Sequence, residues 1–249
     1  MFCMLIAVFM LTVTLCGCNN APISATSNIE PKVINIPADD IPKKYFSVKK
    51  DGLTLVENVS EDAVVETYTD TDGVQYFFDK ETGKYSGFQI SAGIPKSDEE
   101  IHSTKILEEL ADGVAEKFVS LKDYQRTYSR YEEINKRYYY NYHKYIHGEK
   151  TTDRVSITIN ADGKFVKAIA MDTGKFDTVK FDPIDHVKLE QQARQQIEAK
   201  GNTYKEVQDK TLNLKDGKLC MRYACKATTV SQNEEIEFLE EVYFEILQK

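Results

Sequence analysis

His143 and His147 stand four residues apart. On a helix that spacing puts both imidazoles on one face, as metal sites need, and in a strand they also share a face. Between them lie Lys144, Tyr145 and Ile146, so there is no HExxH, and a third ligand would have to come from His102 or His186. Exposed histidines on a tyrosine-rich sheet are the plainer reading. Asp70-Thr71-Asp72-Gly73, with Glu81 in the twelfth place, resembles a calcium loop on the surface. Val74 and Gln75 fill the fifth and sixth places, where an oxygen ligand and a glycine are required, so the stretch reads as a hairpin. The pairs Glu99-Glu100, Glu108-Glu109, Glu234-Glu235 and Glu240-Glu241 have the side chains of a two-carboxylate glycosidase, but adjacent acids are ordinarily a solvated face. There is no GxSxG, GxxxxGK[ST] or GxGxxG. No catalytic residue, metal or cofactor is assigned.

The tyrosines offer a different chemistry. The chain has 15 Tyr and no Trp, and they crowd into 124–131 and 138–145. Tyrosine buries area at low entropy cost and keeps a hydroxyl for hydrogen bonding. The candidate binding residues are therefore Tyr138, Tyr140, Tyr142, His143 and His147, on a solvent-facing aromatic strip. The competing reading puts one tyrosine face in the core with hydroxyls at the rim.

Residues 2–16 are almost wholly apolar and end in Leu15-Cys16-Gly17-Cys18. The run is shorter than the roughly 20 residues of a spanning helix and suits the apolar region of a secretory signal. Its end resembles the bacterial lipobox, an aliphatic residue and two small ones before a cysteine. The resemblance implies that Cys18 is acylated, becomes the first mature residue and ties the protein to a membrane outside the cytoplasm. The segment before the run lacks Lys and Arg, which leaves open a start upstream of Met1.

Asp and Glu number 40 against 32 Lys and Arg, a formal charge of −8. An acidic surface argues against nucleic acid, whose phosphates demand clustered Lys and Arg. Beyond the leader and Cys18, only Cys220 and Cys225 remain. The alternation along 219–225 puts Cys225 on the face of Leu219, Met221 and Tyr223, with Cys220 half-exposed on the other. Five strand residues span roughly 16 Å, too far for a disulfide.

These groups must be positioned by the elements around them. Residues 1–17 are the leader and 18–44, with four of the chain's prolines, a tether, in which Val33–Ile36 has the pattern of a short edge strand. Residues 45–95 are β-rich: Tyr45–Val48 and Leu53–Val56 flank a turn at Lys50-Asp51-Gly52, and further strands alternate with Asp72-Gly73 and Thr82-Gly83. Ser97 with Glu100 forms a capping box opening an amphipathic helix over 98–119. The stretch 124–147 fits helix or strand; strands are favoured because Val155–Ile159 needs a partner. Asp182-Pro183 opens a second helix that Gly201 closes. Strands at 206–214, 218–229 and 235–247 complete the chain.

Asp72-Gly73, a strand and Thr82-Gly83-Lys84-Tyr85 are echoed by Asp162-Gly163, a strand and Thr173-Gly174-Lys175-Phe176. A helix followed by a meander occurs at 96–182 and again at 183–249. On these motifs the body resembles the PepSY-type propeptide domains and their relatives in the YcdB/YcdC-like repeat proteins. The resemblance implies small α+β units, each a helix against an antiparallel sheet, and a binding or inhibitory module rather than an enzyme. The expectation is an α+β cell-envelope lipoprotein that contacts protein, peptide or glycan. The alternatives are a hydrolase with dispersed residues and a small-molecule or metal carrier.

Overall fold

The computed structural model describes residues 43–56, 65–90, 102–172, 174–215, 217–231 and 234–249. The leader, Cys18, nearly all of the tether with Val33–Ile36, and the Ser97 capping box lie outside them.

Among the described residues the fold is α+β: eleven strands in one mixed sheet, with two helices. In chain order the strands are β1 (Thr54–Val56), β2 (Val65–Thr69), β3 (Gln75–Asp79), β4 (Tyr85–Gln89), β5 (Tyr124–Glu132), β6 (Arg137–Ile146), β7 (Glu149–Asn160), β8 (Phe165–Met171), β9 (Thr203–Lys215), β10 (Lys218–Ser231) and β11 (Glu234–Glu245). Helix α1 spans Thr104–Ala115 and α2 spans His186–Ala199. The strand order is β1-β2-β3-β4-β8-β7-β9-β10-β11, with β6 and then β5 branching from β7. All pairs are antiparallel except β7 with β9, which meet in parallel at Thr151 and Leu212. Two separate antiparallel sheets were expected from the sequence; that one parallel contact joins them.

The tight turns follow their local chemistry. Asp70 closes the β2–β3 turn by accepting from the amides of Asp72 at 2.9 Å and Val74 at 3.0 Å, and Gly73 supplies the φ of 80°. The calcium-like stretch is thus a hairpin. The ambiguous stretch 124–147 is the β5–β6 hairpin, which gives β7 its partner.

Three local expectations are corrected by tertiary contacts. Residues Lys43–Phe46 form a 3-10 turn, not a strand, because Tyr45 inserts into the core and stacks on Phe88 at 5.3 Å. Helix α1 starts at Thr104, seven residues after Ser97, with Ser103 as its cap accepting from the Ile106 amide at 3.4 Å. The preceding His102 amide is held by the Ala161 carbonyl at 2.8 Å, so the chain there cannot join the helix. Helix α2 starts after Asp185, whose side chain accepts from the Lys188 amide at 3.0 Å, not at Asp182-Pro183. Phe181 is bridged to Gln248 and the Lys249 amide donates to the Lys180 carbonyl, which keeps that segment extended.

Two cores lie beneath the helices. Leu107, Ala111, Val114 and Ala115 of α1 pack with Tyr140, Tyr142, Val155, Ile157 and Ile159. Ala193 and Ile197 of α2 pack with Leu212, Leu219, Met221, Tyr223 and Cys225. Burying one such Leu or Ile contributes about 2 kcal/mol. Thr151 and Leu212 oppose one another across the parallel junction and are both fully buried, so the two cores lie on the same, inner face of the sheet. Cys225 is in the second core as its alternation implies. Cys220 is on the other face, but it is buried rather than half-exposed. It stands opposite Glu245, whose carboxylate holds Lys218 at 2.7 Å across that surface.

Candidate binding face

The alternation of β6 decides where its side chains go. Tyr138, Tyr140, Tyr142 and Lys144 point to the inner face and Arg137, Tyr139, Asn141 and His143 to the outer one. Tyr140 and Tyr142 are buried in the first core, and the Tyr142 hydroxyl donates to Asp112 of α1 at 2.6 Å. Burial first, and Asp112 second, push the Tyr142 phenol above its ordinary range; burial does the same to Tyr140. Tyr138 is half-buried, between the rings of Tyr131 at 4.7 Å and Tyr140 at 6.2 Å. The tyrosine strip expected to face solvent at 138, 140 and 142 therefore lines the core, because α1 needs an apolar surface to cover.

The histidines do not converge. His143 is on the outer face of β6, its Nδ1 donating to the Thr151 carbonyl at 3.0 Å. Burial holds its pKa below the usual imidazole value, and the neighbouring Lys150 and Arg154 act in the same sense. His147 is not in the strand. It occupies the β6–β7 turn at φ 50°, followed by Gly148 at φ 87°, the pair of positive values that a two-residue hairpin requires. Its ring meets Phe181 edge-on at 5.2 Å. Among the described residues no group of three His, Cys, Asp or Glu is placed to hold a metal ion.

A polar constellation escaped the sequence. His186, the first residue of α2, accepts or donates at Nδ1 to the Tyr223 hydroxyl, 2.7 Å away, and at Nε2 to Glu149, 2.9 Å away. It ties α2 to the start of β7 and to the centre of β10. No spacing rule could find three residues so distant in the chain. The acidic pairs, by contrast, hold cations: Glu108 takes Arg126 at 3.0 Å, Glu240 takes Lys200 at 2.5 Å and Glu241 takes Arg222 at 2.8 Å. Glu99-Glu100 lies outside the described residues. A recess of about 100 Å³ between the β3–β4 turn, Phe118 and Met171 is well below the roughly 300–1,000 Å³ of small-molecule pockets. Lys175 to Glu81 at 2.6 Å links the second Thr-Gly-Lys turn to the first beside it.

The most extensive unassigned feature is the outer face of β1–β8. Cross-strand pairing aligns Arg130, Tyr139, Thr158, Lys167, Gln89 and Gln75 in one row. Thr69 and Thr54 continue it to the edge of the sheet. At about 4.8 Å per strand, seven steps give a polar row roughly 34 Å long. Arg130 and Thr54 are exposed, the other six members are partly exposed, and none is buried. Helix α1 packs on the inner face and α2 against β9–β11, so among the described residues no helix lies over the row. The row and the two registers on either side of it carry Arg130, Arg137, Arg154 and Lys167 against two carboxylates, Glu132 and Asp79. The cations are held in place. Arg130 stands 5.4 Å over the Tyr139 ring, Lys167 5.2 Å over Phe77, and Arg137 donates to Asn160 at 3.3 Å. The Tyr139 hydroxyl donates to Glu132 at 2.8 Å.

No family profile matches the chain, and no curated protein sequence does. Among solved structures, the chain is similar to the Bacillus megaterium YpeB C-terminal domain, with a TM-score of 0.41 and 14% identity over 82% of this chain and 96% of that one.

Proposed function

We propose that the chain is a cell-envelope lipoprotein, attached to the outside of a membrane by acyl chains on Cys18, whose body is a non-enzymatic binding or inhibitory module. The observation that carries this reading is the outer face of β1–β8, which no helix among the described residues covers: a hydrogen-bonding surface with tyrosine and arginine side chains already held in position. Such a surface suits an extended protein, peptide or glycan better than a small reactive substrate, which needs enclosure. In this reading β5–β8 after α1 and β9–β11 after α2 are two tandem helix-plus-meander units of PepSY type, at 96–182 and 183–249, behind the β-rich segment 45–95. The candidate set from the sequence shifts accordingly. His143 and the half-buried Tyr138 stay near exposed surface, while the outward Tyr139 and Tyr128 take the role first given to Tyr140 and Tyr142.

The test is cross-linking of the full-length protein in its native cells, with Cys18→Ser as the unanchored control and an alkyne fatty acid in the medium to report acylation. The expected result is fatty-acid label on the wild type alone and one partner captured near stoichiometry only when the protein is anchored. Equal label on Cys18→Ser would remove the anchor. Absence of any captured partner, together with turnover of a substrate by the purified chain, would replace the module by an enzyme.

A further inference from the structure

Resting on the binding-module reading, we infer that the polar row on the outer face of β1–β8 is a site for an extended anionic polysaccharide lying across the strands. Three features select this ligand class. The row runs perpendicular to the strands, whereas a peptide that extends a sheet pairs along an edge strand through its backbone. The row instead presents side-chain amides and hydroxyls, from Gln75, Gln89, Thr69, Thr158 and Tyr139, at each strand step. A chain of sugar rings carries hydroxyls at every unit and can meet such a row continuously. Tyr139 and the neighbouring outward Tyr128 add faces on which a sugar ring can rest.

The charge gives the sign of the ligand. The protein as a whole is acidic, with 40 Asp and Glu against 32 Lys and Arg. On this face the balance reverses: Arg130 and Lys167 lie in the row, three strand steps or about 14 Å apart, with Arg137 and Arg154 in the flanking registers. A neutral glycan offers no charge to meet this excess. A carboxylated one places charges along its length to meet them, and the cations are pre-positioned by rings and amides, which lowers the ordering cost of binding. Arginine suits carboxylates in particular, through its planar fork of donors.

The experiment measures binding of the full-length chain in detergent to immobilised polygalacturonate, with polyglutamate and neutral dextran as the other two surfaces, at low and high salt. The expected result is binding to polygalacturonate that weakens with salt, with dextran bound at least ~10-fold more weakly. The double variant Arg130→Glu/Arg154→Glu should lose at least ~10-fold in affinity, and Arg130→Lys/Arg154→Lys should recover part of it. Lys188→Glu/Arg194→Glu, which makes the same charge change on α2, should bind as wild type. Soluble oligogalacturonides should gain affinity with length until they span Arg130 to Lys167. Equal losses in the α2 control and the face variant would overturn the assignment to this face. Binding to polyglutamate but not to polygalacturonate would overturn the ligand class. Failure on all three surfaces, with a partner still captured in cells, would overturn the polysaccharide inference and leave the module reading standing; failure of both removes both.

Discussion

Replacing Gly87 by Ala attacks the seam that joins β1–β4 to the rest of the sheet. Gly87 lies in β4 at φ 152°, opposite Ile169 of β8. A Cβ built there stands 2.1 Å from the Ala168 carbonyl oxygen and 2.9 Å from the Ile169 Cα. Carbon–oxygen contacts settle near 3.3 Å, so the strands must part by about 1 Å. Among the described residues the β4–β8 pairing runs through Gly87, Phe88 and Gln89, and Phe88 is fully buried against Tyr45. Forcing a core apart costs about 1–3 kcal/mol and each weakened ladder bond about 1 kcal/mol more, which together suggest a loss of about 3–5 kcal/mol. For a body of this size that is a fall in Tm on the order of 10 °C. Gly83 is the control: it has a φ of 68° but nothing within 4 Å of its added Cβ. Gly83→Ala should therefore show backbone strain alone, about 1–2 kcal/mol. Urea titrations followed by far-ultraviolet circular dichroism compare the two. A Gly87→Ala loss no larger than that of Gly83→Ala would refute the steric argument.

Three further outcomes follow from single contacts. Tyr142→Phe removes the hydroxyl that donates to Asp112 at 2.6 Å and should cost about 1–1.5 kcal/mol, read as a lower urea midpoint at unchanged slope. Burial works to raise the Asp209 pKa, but Lys150, Thr211 and Arg222 outweigh it and hold the carboxyl below its ordinary value. Its stabilisation is therefore complete above the unfolded value of about 3.9 and is lost as pH falls through the lower folded value; Asp209→Asn should flatten that acid limb in a series of thermal melts. The Cys225 thiol is pushed up to about 11, by burial and then by Glu190 and Glu240. Alkylation at pH 8 mapped by mass spectrometry should spare Cys225 in the folded protein and label it in urea.

What the sequence made legible was local. Asp-Gly and Thr-Gly pairs marked turns because only a few residues tolerate positive φ, and Gly73, Gly83, Gly163 and Gly174 all adopt it. Alternation located β9 to β11 and put Cys225 in the core. Helix starts were less legible, since Ser97, Ser103, Asp182 and Asp185 are all competent caps. The choice fell to distant contacts, the Ala161 carbonyl in one case and the C-terminal residues in the other. The tyrosine run had two self-consistent readings for its faces, and the position of α1 selected the one that buries Tyr140 and Tyr142. The row on the outer face had no sequence signal, because its members run from Thr54 to Lys167 in an order that only the strand pairing reveals. The same holds for His186, Glu149 and Tyr223.

The account turns on which face of the sheet meets a partner. A photo-cross-linking side chain at Thr158, in the middle of the row, and another at Val187, exposed on α2, can be compared in the full-length protein in its native cells. The account predicts an adduct from position 158 that polygalacturonate suppresses, and none from position 187. An adduct from position 187 alone would contradict it.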